Sequence, residues 1–128
     1  MSKRQVITSP NVAATGLPYA PAVRVGDLVF VAGQVALGAD GEAMDGDITA
    51  QTEAVIARIS GLLEAAGTSL GNAVENICFL ADVRRDFAAF NAVYGKYFDS
   101  NGPARTTVQA VLPRDGLLVE IRTVAAMP

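Results

Sequence analysis

Two residues, Arg105 and Glu120, carry side chains suited to holding an anion and managing a water molecule. A guanidinium presents a planar donor fork that grips a carboxylate through two parallel hydrogen bonds, a geometry lysine cannot reproduce. A carboxylate can orient a water and accept or return its proton, provided its surroundings set a suitable pKa. The competing possibility is structural: the two could simply pair with each other, or with Arg122, on a solvated sheet. What decides between these is where the chain points them.

The alternation around both residues predicts a hairpin. Thr106, Val108, Ala110 and Leu112 are mostly apolar at even positions, while Arg105, Thr107 and Gln109 are polar at odd ones. After Pro113-Arg114-Asp115-Gly116 the parity reverses, with Leu117, Val119 and Ile121 apolar and Glu120 and Arg122 charged. Burying both apolar sets on one side requires an odd pairing sum, which a four-residue turn supplies. Leu112 then faces Leu117, Gln109 faces Glu120 and Arg105 faces Val124. Arg105, Thr107, Gln109, Glu120 and Arg122 are therefore expected on one shared face.

The rest of the chain supplies the frame. Gln5 to Thr8 reads as a short strand, and Ala20 to Val25 with Leu28 to Ala32 as a hairpin about Gly26-Asp27. Asp47 can cap a helix whose Val55, Ile56, Ile59, Leu62, Leu63 and Ala66 form an apolar stripe, with Gly67 as its stop. Val74 to Leu80 reads as a buried strand. Asp82 or Asp86 then starts a second helix whose Phe87, Phe90, Tyr94, Tyr97 and Phe98 are read as core, ended by Asn101-Gly102-Pro103. These elements predict one α+β domain over 1–128: a mostly antiparallel sheet of about six strands with two helices on one face. The uncovered sheet face calls for association with other copies.

Composition narrows the function. With 51% hydrophobic and 18% charged residues in 128, the chain is sized for one globular domain. It contains no histidine, which excludes a Ser-His-Asp or Cys-His relay and a histidine-ligated metal centre; no cofactor or metal is implied. A net charge of -3 opposes a broad phosphate-binding surface, so no nucleic-acid partner is expected. No apolar run is long enough for a bilayer and no signal-like segment opens the chain, which points to a cytoplasmic protein without a membrane partner. The solitary Cys78 is read as a buried thiol.

Pro103-Ala104-Arg105-Thr106-Thr107-Val108, followed by Val119-Glu120-Ile121, resembles the C-terminal signature of the RidA (YjgF-like) family of reactive-intermediate deaminases. Leu28-Val29-Phe30-Val31-Ala32-Gly33-Gln34 resembles that family's strand ending in a small residue, glycine and glutamine. Asp86 to Tyr94 resembles its second helix, and Tyr19 falls where its Gly-Pro-Tyr tyrosine would lie. The resemblance covers nearly the whole chain. It implies a chorismate-mutase-like fold, a homotrimer with ligand clefts between subunits, and hydrolysis of enamines and imines such as 2-aminoacrylate to 2-keto acids and ammonia.

By the same resemblance, Arg105 would bind the substrate carboxylate and Glu120 would position water. Tyr19, Gly33, Asn91 and Thr107 would line the site. Each has a quieter role open to it: Tyr19 packing a strand edge, Asn91 satisfying a helix or loop, Gly33 marking a bend. The chain also departs from the pattern. Ala32 stands where a hydroxyl residue is common, Thr107 in place of a frequent cysteine, Gln109 in place of a frequent glutamate, and Gly16-Leu17-Pro18-Tyr19 in place of Gly-Pro-Tyr. Two other readings stay open: a noncatalytic trimeric binder of small carboxylates, and a deaminase of larger substrates such as the 2-aminomuconate deaminases. The ribonuclease activity described for some members has no basic footprint or histidine pair here.

Overall fold

A computed structural model describes residues 3–12 and 16–128. In chain order the elements are β1 (Gln5–Ile7), β2 (Ala22–Val25), β3 (Leu28–Val35), α1 (Ile48–Ala66), β4 (Ala73–Leu80), α2 (Val83–Tyr97), β5 (Ala104–Gln109) and β6 (Val119–Ala126). They form one sheet in the order β1-β2-β3-β6-β4-β5. Among the described residues, only β4 and β5 run parallel. The α+β architecture with a mostly antiparallel six-stranded sheet is therefore as the sequence led us to expect.

Local chemistry explains most element boundaries. The β2–β3 hairpin turns at Gly26, whose φ of 58° suits glycine. The Asp47 carboxylate accepts the Ala50 N–H at 2.9 Å and opens α1, which closes on Gly67 at φ 92°. Asp82, rather than Asp86, caps α2 by accepting the Arg85 N–H at 3.1 Å. Asp86 lies buried in the first turn and takes the Arg85 guanidinium at 2.9 and 2.8 Å.

Both helices cover one face of the sheet. Val55, Ile56, Ile59, Leu62 and Leu63 of α1 are completely or almost completely buried in one cluster with Val29, Val31, Val119 and Ile121. Each such side chain contributes about 1.5–3 kcal/mol on burial. The opposite face carries Val6, Val23, Phe30, Val124, Ile77, Phe79 and Val108, and none of the described helices lies over it. Val6 is 54% and Val108 43% exposed, the uncovered apolar surface expected from the two-layer pattern. No helix among the described residues is long and apolar enough to cross a membrane.

The expected hairpin between the Arg105 and Glu120 strands does not form. β4 lies between them, parallel to β5 and antiparallel to β6. Arg105 aligns with Asn76 and, through it, with Thr123; Thr107 aligns with Cys78 and Ile121. Those rows face the helices. Glu120 instead aligns with Phe79 and Val108, and Arg122 with Ile77 and Thr106, on the uncovered face. Arg105 and Glu120 thus occupy opposite faces. Each strand keeps the parity its alternation predicts, but the two apolar sets point to opposite sides because both faces of this sheet carry apolar residues.

Candidate active site

The Arg105 side is built by β5 and α2. Phe87, Phe90, Asn91 and Tyr94 recur at helical spacing and point toward the sheet edge. The Arg105 Cζ lies 4.7 Å from the Tyr94 ring centroid, 5.6 Å from that of Phe90 and 5.7 Å from that of Phe87. Its Nη1 donates to the Asn91 Oδ1 at 2.8 Å. Among the described residues no carboxylate forms an ion pair with it. The guanidinium is oriented by stacking and one amide while its outer donors face solvent, as an anion anchor requires.

A buried polar row holds that platform. The Thr123 hydroxyl donates to the Asn76 Oδ1 at 2.6 Å, and the Asn76 Nδ2 donates to the Tyr94 hydroxyl at 2.9 Å. Asn76 and Thr123 are both fully buried. Burial raises the Tyr94 pKa, so its hydroxyl stays neutral. One row along, Thr107 lies beside Cys78, whose thiol burial pushes up to about 12. Cys78 is therefore an inert core thiol. The Gln109 Oε1 accepts the Val83 N–H at 3.0 Å and secures the start of α2.

The Glu120 side is built by β3 and β6. Their register slips between Val31 and Gln34, so Gly33 sits in an irregular stretch of β3. A Cβ on Gly33 would run into the Glu120 carboxylate, so the acid lies directly over that backbone. Glu120 is flanked by Val35 and Phe79. Burial among them raises its pKa. Arg122, expected beside it, instead pairs with Glu75 at 3.4 Å. Tyr19 and Gly33 share the wall of a cavity of about 250 Å³.

The expected site residues thus fall into two groups. Arg105, Asn91 and Thr107 lie on the α2 side; Glu120, Gly33 and Tyr19 lie around β3. Four contributors are not evident as site residues from the sequence: Asn76, Phe87, Phe90 and Tyr94. Asn76, an amide inside an apolar strand, was the visible signal for the buried row. The helical spacing of Phe87, Phe90 and Tyr94 reads as core, yet Phe87 is 40% exposed and all three rings lie under Arg105.

The family model described as Endoribonuclease L-PSP matches residues 8–127. The chain belongs to the RidA/YjgF family. A RutC family protein of Pyrococcus abyssi is 40% identical over 127 residues, covering 98% of each chain. Among solved structures, yeast YEO7 superposes with a TM-score of 0.89 at 35% identity, covering 98% of this chain and 100% of that one. Escherichia coli TdcF with bound serine superposes with a TM-score of 0.87 at 29% identity, covering 97% and 99%. The RidA/YjgF fold of this chain is thereby established on sequence and shape together.

Proposed function

We propose that this protein hydrolyses reactive 2-imino acids and their enamine tautomers, of the 2-aminoacrylate kind, to 2-keto acids and ammonia. The reading is carried by one observation. Arg105 and Glu120 each lack an ion-pair partner among the described residues, yet lie on opposite faces of their own sheet. Arg105 of one copy therefore works with Glu120 of a neighbouring copy, in the clefts of a homotrimer packed through the uncovered apolar faces. The serine held by the related TdcF is itself a small amino acid with a carboxylate.

The chemistry asks for little beyond placement, because a protonated imine is already electrophilic. Arg105 binds the substrate carboxylate in its fork. Glu120 accepts a proton from water as the new C–O bond forms at the imine carbon. It returns that proton to nitrogen, and as the C–N bond of the tetrahedral adduct breaks the regenerated carboxylate takes the proton of the adduct's hydroxyl, leaving the keto acid and ammonia and passing the last proton to solvent. A carboxyl with a raised pKa suits both transfers. Tyr19, Asn91, Thr107 and the Gly33 backbone line the cleft. Ala32 supplies no hydroxyl, which shifts the remaining anchoring onto Arg105.

The test is to generate 2-imino acids with an amino-acid oxidase and follow keto-acid release. Wild type should exceed buffer, and Arg105→Ala and Glu120→Ala should not. A wild-type rate equal to buffer, with keto-acid binding retained, would favour the noncatalytic binder instead. Mixing and reassembling the two inactive variants should restore about one quarter of the sites if each is shared between copies.

A further inference from the structure

The cavity beside Gly33 carries more positive charge than a monocarboxylate requires. Its wall includes Leu17, Tyr19, Gly33, Gln34, Arg58 and Arg114. Arg58 projects from α1 and is half-buried, its Nε donating to the Gln34 Oε1 at 3.2 Å. Gln34 is only 4% exposed, and its Nε2 donates to the Ala32 carbonyl at 2.9 Å, so that acceptor is fixed in place. No carboxylate among the described residues pairs with Arg58. Burial accordingly lowers its pKa, against an opposing influence from Tyr19.

Arg114 enters from the loop joining β5 to β6. Its only ion pair among the described residues is a long one, 3.8 Å to the well-exposed Glu42, and such pairs are weak. Gly33, part of the cavity wall, is the residue over which the Glu120 carboxylate lies, although Glu120 itself is not part of that wall. The cavity therefore gathers two arginines, one of them half-desolvated, without an ion-pair partner among the described residues, and bonded to Gln34, one strand residue away from the backbone that Glu120 covers. Leaving such a cation without an anion is unfavourable, and a bound anion relieves it.

We propose that this cavity is a second anion subsite, and that the preferred substrates are dicarboxylic 2-imino acids. Arg58 and Arg114 hold the distal carboxylate while Arg105 of the neighbouring copy holds the one beside the imine. The inference rests on the deaminase reading for the orientation of the substrate, but the subsite itself is tested by binding alone. It gives the departure at Ala32 a counterpart: an anchor missing near the imine is replaced by one at the far end.

The experiment is calorimetric titration of the full chain with 2-oxoglutarate, oxaloacetate and pyruvate, as product-like ligands with two carboxylates or one. The dicarboxylates should bind about tenfold or more tightly than pyruvate, the scale of a charge-assisted pair. Arg58→Gln should reduce that ratio about tenfold, Arg58→Lys should restore part of it, and Arg114→Gln should lower it less. Should Arg58→Gln fail to fold, Arg114→Gln and the wild-type ratio still decide. Equal wild-type affinities, or an unaltered ratio in the well-folded Arg58 and Arg114 variants, would overturn the subsite. Arg105→Ala separates the two ideas. If it spares both ligand classes while the ratio still depends on Arg58, the deaminase assignment falls and the subsite stands; loss of both classes with a wild-type ratio of one means the reverse.

Discussion

The Arg105 and Glu120 regions solve opposite problems. Arg105 stands at the sheet edge, exposed, held from beneath by three rings and the Asn91 amide. Glu120 lies within an apolar sheet face, pressed over a glycine between Val35 and Phe79. The cation is left wet, whereas burial makes the acid hold a proton more readily than usual. In the proposed reaction binding would use the permanent charge and proton transfer the yielding one, and a single environment would not supply both.

The sharpest way to break that contrast is to delete either charge. Arg105→Ala and Glu120→Ala should each lower turnover by about 100-fold or more, the scale of a lost anchor or general base. Arg105→Lys should recover only part of this, because the fork is gone. Progress curves for keto-acid release check all three, and an Arg105→Ala enzyme as fast as wild type would remove the cation from the site.

Next in size is the glycine. Gly33→Ala puts a methyl where the Glu120 carboxylate lies, so the acid must swing away. We expect turnover to fall about tenfold or more, with a stability loss of about 1–3 kcal/mol seen in denaturant titrations. On the other side, Asn76→Ala strands the Thr123 and Tyr94 hydroxyls in the core. It should cost about 1–3 kcal/mol and loosen the Arg105 platform, raising KM more than it lowers kcat.

The smallest effects concern protonation. Because the folded Glu120 pKa is raised, the native state keeps its proton at pH values where the unfolded chain has lost it. Its contribution to stability therefore falls as pH rises above the ordinary carboxylate range. Glu120→Gln should melt about 1–3 °C higher at neutral pH, an advantage that vanishes below about pH 4. Wild-type turnover should show the matching acid limb, falling as pH drops through the raised Glu120 pKa. An acid limb at the unperturbed carboxylate value would mean the acid is not held dry between Val35 and Phe79.

Much of this molecule is local and was legible as such. The caps at Asp47 and Gly67, the hairpin at Gly26, the stripe of α1 and the strand at β4 follow from side chains and neighbours close in sequence. The chemical identities of Arg105 and Glu120, and their strand parities, were legible for the same reason. Period-two alternation states which residues of a strand share a side. It does not state which side, nor which strand lies next door, when both faces of the sheet carry apolar residues.

The insertion of β4 between β5 and β6, the separation of Arg105 from Glu120, and the meeting of Asn76 with Tyr94 were decided only by tertiary structure. So was the gathering of Arg58 and Arg114 at one cavity. Those outcomes depend on hydrogen-bond partners and packing surfaces far apart in the chain. They are selected by how the whole core closes, which no single segment encodes.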